Sequence, residues 1–225
     1  MVLLQNILPG GSKADQRNLS YLVQRICELR PKQRKTQMQN FVWLLVGIYR
    51  SHSVHLSKIA GKMMTNAENE STVRRLSRFL ANPAVDVRPW YKLIAQQWLQ
   101  RQWERVGEIR LIVDGTKIGF GHQLLIVSLA YRHRAVPIAW AWVKYVRGHS
   151  TGQKQIALLK YVRSLIPLGA PVFLVGDSEF GSIFVLRQLD LWRWFYVLRQ
   201  KGNTGLWLNE HGDWKELASF VQKTG

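Results

Sequence analysis

The spacing of apolar residues changes near residue 109, and this change constrains the fold more than any other feature of the sequence. Before that point apolar residues recur every three to four positions, which is the period of helices that bury one face. After it, short runs rich in β-branched residues are bounded by glycine, proline and polar residues, as is typical of buried strands. The sequence therefore predicts a helical N-terminal part followed by a mixed α/β part.

Two of the upstream helices are separated by a short polar turn. The predicted helices cover residues 15–29, 33–50, 56–63, 70–80 and 88–103. The third and fourth of them flank the turn, so they resemble a helix-turn-helix near residues 55–81. Burial of Val73, Leu76 and Leu80 on the fourth helix would turn its polar and basic face outward. The residues expected to face DNA are Ser71, Thr72, Arg74, Arg75 and Arg78. A plain helical hairpin with a solvated basic face fits the same pattern.

The order of elements downstream of residue 108 predicts the topology of the sheet. The strands cover residues 109–113, 124–130, 135–145, 172–175 and 194–198, and the helices cover 152–165 and 182–191. This is the order of the ribonuclease-H-like fold. Strand four then lies parallel beside strand one, because a crossover helix returns the chain to the same sheet in the same direction. We expect an α/β ribonuclease-H-like mixed sheet flanked by helices, preceded by an all-α helical DNA-binding region.

Two aspartates stand at the ends of strands that should be neighbours. Asp114 follows the run 109–113, and Asp177 follows the run 172–176. Two carboxylates at adjacent strand ends repel each other, and a pair of divalent cations is the usual resolution. The pair is therefore a candidate metal site for phosphodiester chemistry. Because Asp-Gly and Gly-Asp pairs also occur simply as turns, the assignment depends on the two aspartates together.

The charge of the chain favours an anionic partner. Thirty-two Lys and Arg residues stand against 14 Asp and Glu residues, which gives a net charge of +18. Nucleic acid is the first expectation from this excess, and ribosome-like or membrane-surface electrostatics are the alternatives. Cys27 is the single cysteine, so an internal disulfide is excluded and a cysteine-based zinc site is disfavoured. No apolar stretch is long enough for a membrane span, so we expect a cytoplasmic, nucleoid-associated protein.

Three segments resemble the DDE transposases of bacterial insertion sequences, in the branch with a β-rich insertion in its ribonuclease-H-like core. They are LIVDGTKI around Asp114, VFLVGDSEFGS around Asp177, and FYVLRQKGNT from Phe195 to Thr204. The upstream segment STVRRLSRFLANP resembles the helical DNA-binding region of the same branch. The resemblance covers most of the chain from about residue 40 onward.

The resemblance implies a DNA transposition function. Asp114 and Asp177 match the first and second catalytic, metal-binding aspartates, with Mg²⁺ as cofactor and Mn²⁺ as an alternative. Double-stranded DNA, as transposon ends and target, is the implied partner, with a homodimer in a synaptic complex and no membrane. The implied domains are a DNA-binding region over residues 1–104, an incomplete catalytic core over 105–200, and the start of the β-rich insertion over 201–225.

The third catalytic residue of the family is a glutamate on a later helix, and no residue of this sequence matches its motif. We therefore expect the N-terminal part of a transposase, truncated and inactive alone. Glu179, two residues past Asp177, is a candidate substitute, or a loop residue paired with an arginine; Glu210 and Glu216 are weaker candidates.

Two further functions stay open at this point. One is a non-catalytic DNA-binding fragment that acts on transposon ends or inhibits a full-length transposase. The other is a ribonuclease-H-like nuclease whose site is completed by Glu179. His122, His133 and His149 are scattered along the chain, and we assign them no role.

Overall fold

The computed structural model describes residue 24 and residues 34–63, 65–144, 150–207 and 212–220. The chain divides into two compact units, residues 1–86 and 87–225. This division lies before the predicted boundary at residue 104, because the helix that precedes the first strand packs against the sheet. None of the helices in the described ranges combines the length and apolar character needed to cross a membrane.

The described part of the first unit is helical. It contains α1 (Lys35–Ser51), α2 (Leu56–Ala60) and α3 (Asn69–Leu80), and the predicted helix over 15–29 lies outside the described residues except for Gln24. Gly47 lets α1 approach α2 closely, because a Cβ atom there would lie 2.5 Å from the Ile59 side chain. The buried core of this unit includes Met38, Val42, Val46, Ile59, Leu76 and Phe79.

The second unit is a mixed sheet preceded by one long helix and flanked by two more. The helices are α4 (Val87–Val106), α5 (Gly152–Arg163) and α6 (Ile183–Leu191). The strands are β1 (Ile109–Ile118), β2 (His122–Tyr131), β3 (Arg134–Lys144), β4 (Val172–Gly176) and β5 (Phe195–Leu198). The predicted order of strands and helices is confirmed.

The strand order in the sheet is β3-β2-β1-β4-β5. The first three strands form an antiparallel meander, because tight turns join β1 to β2 and β2 to β3. β4 runs parallel to both β1 and β5, since a helix connects each returning strand. This five-stranded mixed sheet is compatible with a ribonuclease-H-like fold.

One face of the sheet forms the main core. Alternate residues of β1, namely Ile109, Leu111 and Val113, are buried. The inward residues of the neighbouring strands join them in a single cluster with side chains of α5 and α6. Because side chains alternate along a strand, Arg110, Ile112 and Asp114 point to the opposite face.

The opposite face is accessible over β4 and β5. Val175, Phe195 and Val197 are 49%, 58% and 73% exposed, and Phe173 stacks on Phe195 with ring centroids 4.8 Å apart. Asp114 and Asp177 stand at one end of this accessible face.

A small second sheet follows β5. It consists of β6 (Gly205–Trp207) and β7 (Trp214–Glu216), and a short 3-10 helix (Leu217–Phe220) follows it. Trp207 lies opposite Trp214 in this pair of strands.

Candidate active site

The two aspartates directly follow the last pair of the ladder between β1 and β4, and β1 itself continues past Asp114 to Ile118. Val113 of β1 is the partner of Gly176 of β4, and Asp114 and Asp177 are the next residues along the chain. Neighbouring strands in a sheet are about 4.8 Å apart, so the backbone brings the two residues side by side. The prediction that β1 and β4 would be neighbours is confirmed.

Both aspartates are exposed and accept hydrogen bonds from backbone amides. Oδ1 of Asp114 accepts a hydrogen bond of 2.8 Å from the Gly115 amide, and Oδ1 of Asp177 accepts one of 3.0 Å from the Glu179 amide. Within the described residues no Lys or Arg forms a salt bridge with either carboxylate, although the chain carries a charge of +18. The remaining carboxylate oxygens can therefore take a cation.

Glu179 has a different environment from the two aspartates. Its Oε1 accepts hydrogen bonds from the Ser150 amide, at 2.8 Å, and from the Ser150 hydroxyl. Its Oε2 accepts a 2.8 Å hydrogen bond from Nε2 of Gln123 on β2. Gln155 of α5 extends this network by donating to the Ser150 hydroxyl at 2.9 Å and to the Glu179 carbonyl at 3.2 Å. One carboxylate thus joins the loop after β4 to β2 and to the start of α5.

Gly115 provides the space for this network. A Cβ atom at this position would lie 2.4 Å from Nε2 of Gln123 and 2.8 Å from Oε2 of Glu179. The side-chain position of Gly115 is on the opposite side of β1 from that of Asp114, because adjacent residues alternate. The Glu179 carboxylate therefore lies behind the strand, away from the aspartate pair. This position opposes the expectation that Glu179 is a third metal ligand.

Within the described residues the aspartate pair is not part of a larger cluster of potential metal ligands. Among the described residues there is no group of three or more His, Cys, Asp or Glu residues that could hold a metal ion. Glu216 is exposed on β7, while Glu210 and His149 lie outside the described residues. Mg²⁺ is commonly held by one or two carboxylates together with waters and substrate phosphates, so two aspartates fit that ion.

The sequence did not identify the residues that support the site. Gln123, Ser150 and Gln155 gain their role only when β2, the start of α5 and the loop after β4 come together. Two local features of the sequence are associated with these supporting residues. Gly115 follows Asp114 directly, and a Ser-Thr pair precedes α5. The buried amide oxygens of Gln123 and Gln155 have no hydrogen-bond partner among the described residues.

Replacing Glu179 by glutamine is expected to loosen the loop that carries Asp177. The new amide nitrogen would face either the Ser150 donors or the Gln123 donor, which now donate to a carboxylate oxygen. A buried donor without an acceptor costs about 1–3 kcal/mol. Chemical denaturation should show a fall of that size in the free energy of unfolding, with Glu216→Gln as the exposed control. Equal stability of the two variants would contradict a supporting role for Glu179.

The basic helix differs from its predicted rotation. On α3 the buried residues are Thr72, Leu76 and Phe79, while Leu80 is 55% exposed and Val73 is half-buried. The buried face of α3 includes the larger Phe79 in place of Leu80, so the prediction that Leu80 is buried is wrong. Thr72 is only 3% exposed, which also corrects the prediction that it faces outward.

The arginines of α3 fall into two groups. Arg74 and Arg78 are exposed, as is Ser71, and Arg74 forms a surface ion pair with Glu70. Arg75 instead donates a 2.7 Å hydrogen bond to Asn40 and lies over the Trp43 ring at 4.1 Å. Burial lowers the pKa of the Arg75 guanidinium. The prediction that Arg75 faces outward like Arg74 and Arg78 is wrong, because its partly buried head group joins α3 to α1.

No protein-family profile matches this sequence, and a search of curated proteins finds no match.

Proposed function

We propose that this chain binds double-stranded DNA and contributes Asp114 and Asp177 to a two-metal site for DNA strand cleavage and transfer, as in DDE transposases. The observation that supports the proposal is the placement of two aspartates side by side where the pairing of β1 with β4 ends, with no salt bridge to either carboxylate among the described residues, in a chain of charge +18. The proposal includes transposon ends and target as the DNA partners, a homodimer in the synaptic complex, and a place on the nucleoid.

Asp114 and Asp177 are the residues that would hold Mg²⁺ or Mn²⁺. A divalent ion supplies Lewis-acid polarisation of a scissile phosphate and stabilises its developing charge. The protein's own contribution is to fix the carboxylates. Asp114 is held in the paired part of β1, and the Glu179 network holds the loop of Asp177. Precise positioning matters, because a misplacement of about 1 Å can reduce a rate roughly 10²-fold.

A non-catalytic DNA-binding role is the second candidate. The described residues supply two carboxylates to the site and no third, which favours a fragment that binds transposon ends or inhibits a complete enzyme. The nuclease alternative loses support, because the Glu179 carboxylate lies behind β1 and accepts hydrogen bonds from Ser150 and Gln123.

The exposed arginines of α3 provide a test of DNA binding. Replacing Arg74 and Arg78 by alanine is expected to weaken duplex binding and to reduce the slope of log K against log[salt] by about two, since each phosphate contact contributes roughly 0.9. Fluorescence anisotropy with a labelled duplex at several salt concentrations measures both quantities.

The matched control is Arg34→Ala with Lys35→Ala, which removes the same charge from the exposed start of α1. A specific DNA contact predicts that the α3 pair loses more affinity and slope than the control pair. Equal losses would reject α3 as the DNA-contacting element and leave only general electrostatic attraction.

A further inference from the structure

A cleft of about 660 Å³ lies between the end of α4, the start of β1 and the β2–β3 hairpin. Four arginines line it, namely Arg105, Arg110, Arg132 and Arg134, and all four are exposed. No Asp or Glu is part of the lining among the described residues. Arg110 is paired with Glu108, which leaves three guanidinium groups without an ion-pair partner in the described parts of the chain.

Two of these arginines contact the same aromatic ring. The guanidinium groups of Arg105 and Arg132 lie over the same ring, that of Tyr131, at 4.9 Å and 5.4 Å from its centroid. Trp98 of α4 packs against the Tyr131 ring in an edge-to-face arrangement, with the ring centroids 5.1 Å apart. Two like charges held close to one ring repel each other, so an anion bound near both of them would be stabilised. The contacts with Tyr131 reduce the freedom that the two arginines would lose on binding.

The turn beside the cleft has an unusual sequence. Tyr131 pairs with Arg134 across a two-residue loop, and the loop residues Arg132 and His133 have φ angles of 45° and 61°. Loops of this kind favour Asn-Gly or Asp-Gly, because few other residues adopt positive φ without strain. Strained backbone of this type is concentrated at ligand sites. Arg and His in these positions place two cationic or hydrogen-bonding side chains at the rim of the cleft.

Gln102 adds a polar group to the wall of the cleft. It is 5% exposed, and its carboxamide oxygen has no hydrogen-bond partner among the described residues. The oxygen and nitrogen of such an amide exchange places by a simple flip, so the group can present N–H donors to an anion in the cleft.

We infer that this arginine cleft binds a phosphate group of a nucleic-acid backbone. The planar, two-pronged donor arrangement of arginine matches phosphate oxygens, and several arginines in one cleft make a stronger site than one. Arg110 and Asp114 lie on the same face of β1, four residues and therefore about 13 Å apart. That distance corresponds to about four nucleotides of one duplex strand at roughly 3.4 Å each.

The assignment to nucleic acid rests on the proposed function, because it connects the cleft to DNA held at Asp114 and Asp177. One DNA strand would then be held near Asp114, in the middle of β1, and by the arginine cleft beside the start of β1. The cleft would fix the register of the strand relative to the aspartate pair, since contacts with phosphates position a nucleic acid without reading its sequence.

The test uses a double variant of the full chain, Arg132→Ala together with Arg134→Ala. It is compared with a control double variant that removes the same charge elsewhere. Lys92→Ala with Arg187→Ala is the control, because both residues are exposed and neither lines the cleft. Anisotropy titrations with a duplex of about 20 base pairs should show a salt slope lower by about two for the cleft variant and nearly unchanged for the control. Circular dichroism verifies that both variants fold.

A slope of the cleft variant equal to that of the control would overturn the inference while leaving DNA binding by the wild-type chain, and hence the proposed function, in place. Absence of duplex binding by the wild-type chain would overturn both. Calorimetry with inorganic phosphate at constant ionic strength distinguishes the two sources of the ligand. Saturable binding of free phosphate that depends on Arg132 and Arg134, without duplex binding, would assign the cleft to a small anion and reject the nucleic-acid backbone.

Discussion

Replacing Gly115 by alanine is expected to lower the free energy of unfolding of the second unit by about 2–4 kcal/mol, from overpacking together with disturbed buried hydrogen bonds. The added Cβ would lie 2.4 Å from the Gln123 amide nitrogen and 2.8 Å from the Glu179 carboxylate. Neither group can simply move aside. Gln123 is 1% exposed, and Glu179 also accepts two hydrogen bonds from Ser150.

Lack of space, and not backbone conformation, is the cause of this effect. Gly115 is not among the glycines with positive φ, so alanine can adopt its backbone angles. Gly202→Ala is the matched control, because a Cβ atom there would meet only Ala218, at an ordinary contact distance of 3.5 Å. Chemical denaturation of both variants gives the comparison. A Gly115→Ala protein as stable as the control would show that the Glu179 network is not closely packed against β1.

The topology of the sheet could be predicted from the sequence because local signals were consistent. Tight turns, apolar runs and one crossover helix restrict the strand order to few alternatives, and the parallel placement of β4 beside β1 follows from it. The length of β1 could not be predicted in the same way. Asp114, Thr116 and Lys117 interrupt the apolar pattern, yet they pair with β2 as far as Ile118. Pairing with a partner strand sets that boundary.

The rotation of α3 was harder to predict than its position. A helical stripe through Val73, Leu76 and Leu80 and one through Thr72, Leu76 and Phe79 both satisfy the periodicity. The choice depends on which side chains fill the space beside α1 and α2, and Phe79 occupies that space. Burial of Thr72 is the consequence, and a polar residue in the core is not evident from composition.

The position of Glu179 could not be deduced from its distance along the chain to Asp177. Its partners Gln123 and Ser150 are 56 and 29 residues away in sequence. The loop turns at Ser178, where the Glu179 amide caps the Asp177 carboxylate, and the Glu179 side chain then points to the other face of β1. Asp177 and Glu179 are two residues apart in sequence, yet Asp177 lies with Asp114 on the accessible face and the Glu179 carboxylate lies behind β1.

Loss of the aspartate pair is expected to remove specific Mn²⁺ binding by the chain. Asp114→Ala and Asp177→Ala should each lower the affinity at least about 10- to 100-fold, since loss of outer-shell partners alone already costs that much at metal sites. Glu179→Gln should lower the affinity less than either aspartate variant does, because its carboxylate lies behind β1 and acts only through the loop that carries Asp177. Electron paramagnetic resonance of free Mn²⁺ measures the Mn²⁺ affinity of the wild-type chain and of the three variants. Equal loss in the Glu179 variant would place that residue among the ligands.

The same proteins are expected to show no Asp114-dependent strand cleavage or transfer when the chain acts alone. Two carboxylates can hold an ion weakly, but a two-metal reaction needs enough oxygen ligands to fix both ions relative to the scissile phosphate. The described residues offer no third acidic or histidine ligand beside the pair, and imprecise positioning alone reduces rates by roughly 10²-fold.

Labelled transposon-end DNA incubated with Mg²⁺ or Mn²⁺ provides the assay, with Asp114→Ala as the control. Robust nicking by the wild-type chain that disappears in Asp114→Ala would contradict this expectation. It would mean that a ligand within these 225 residues completes the site.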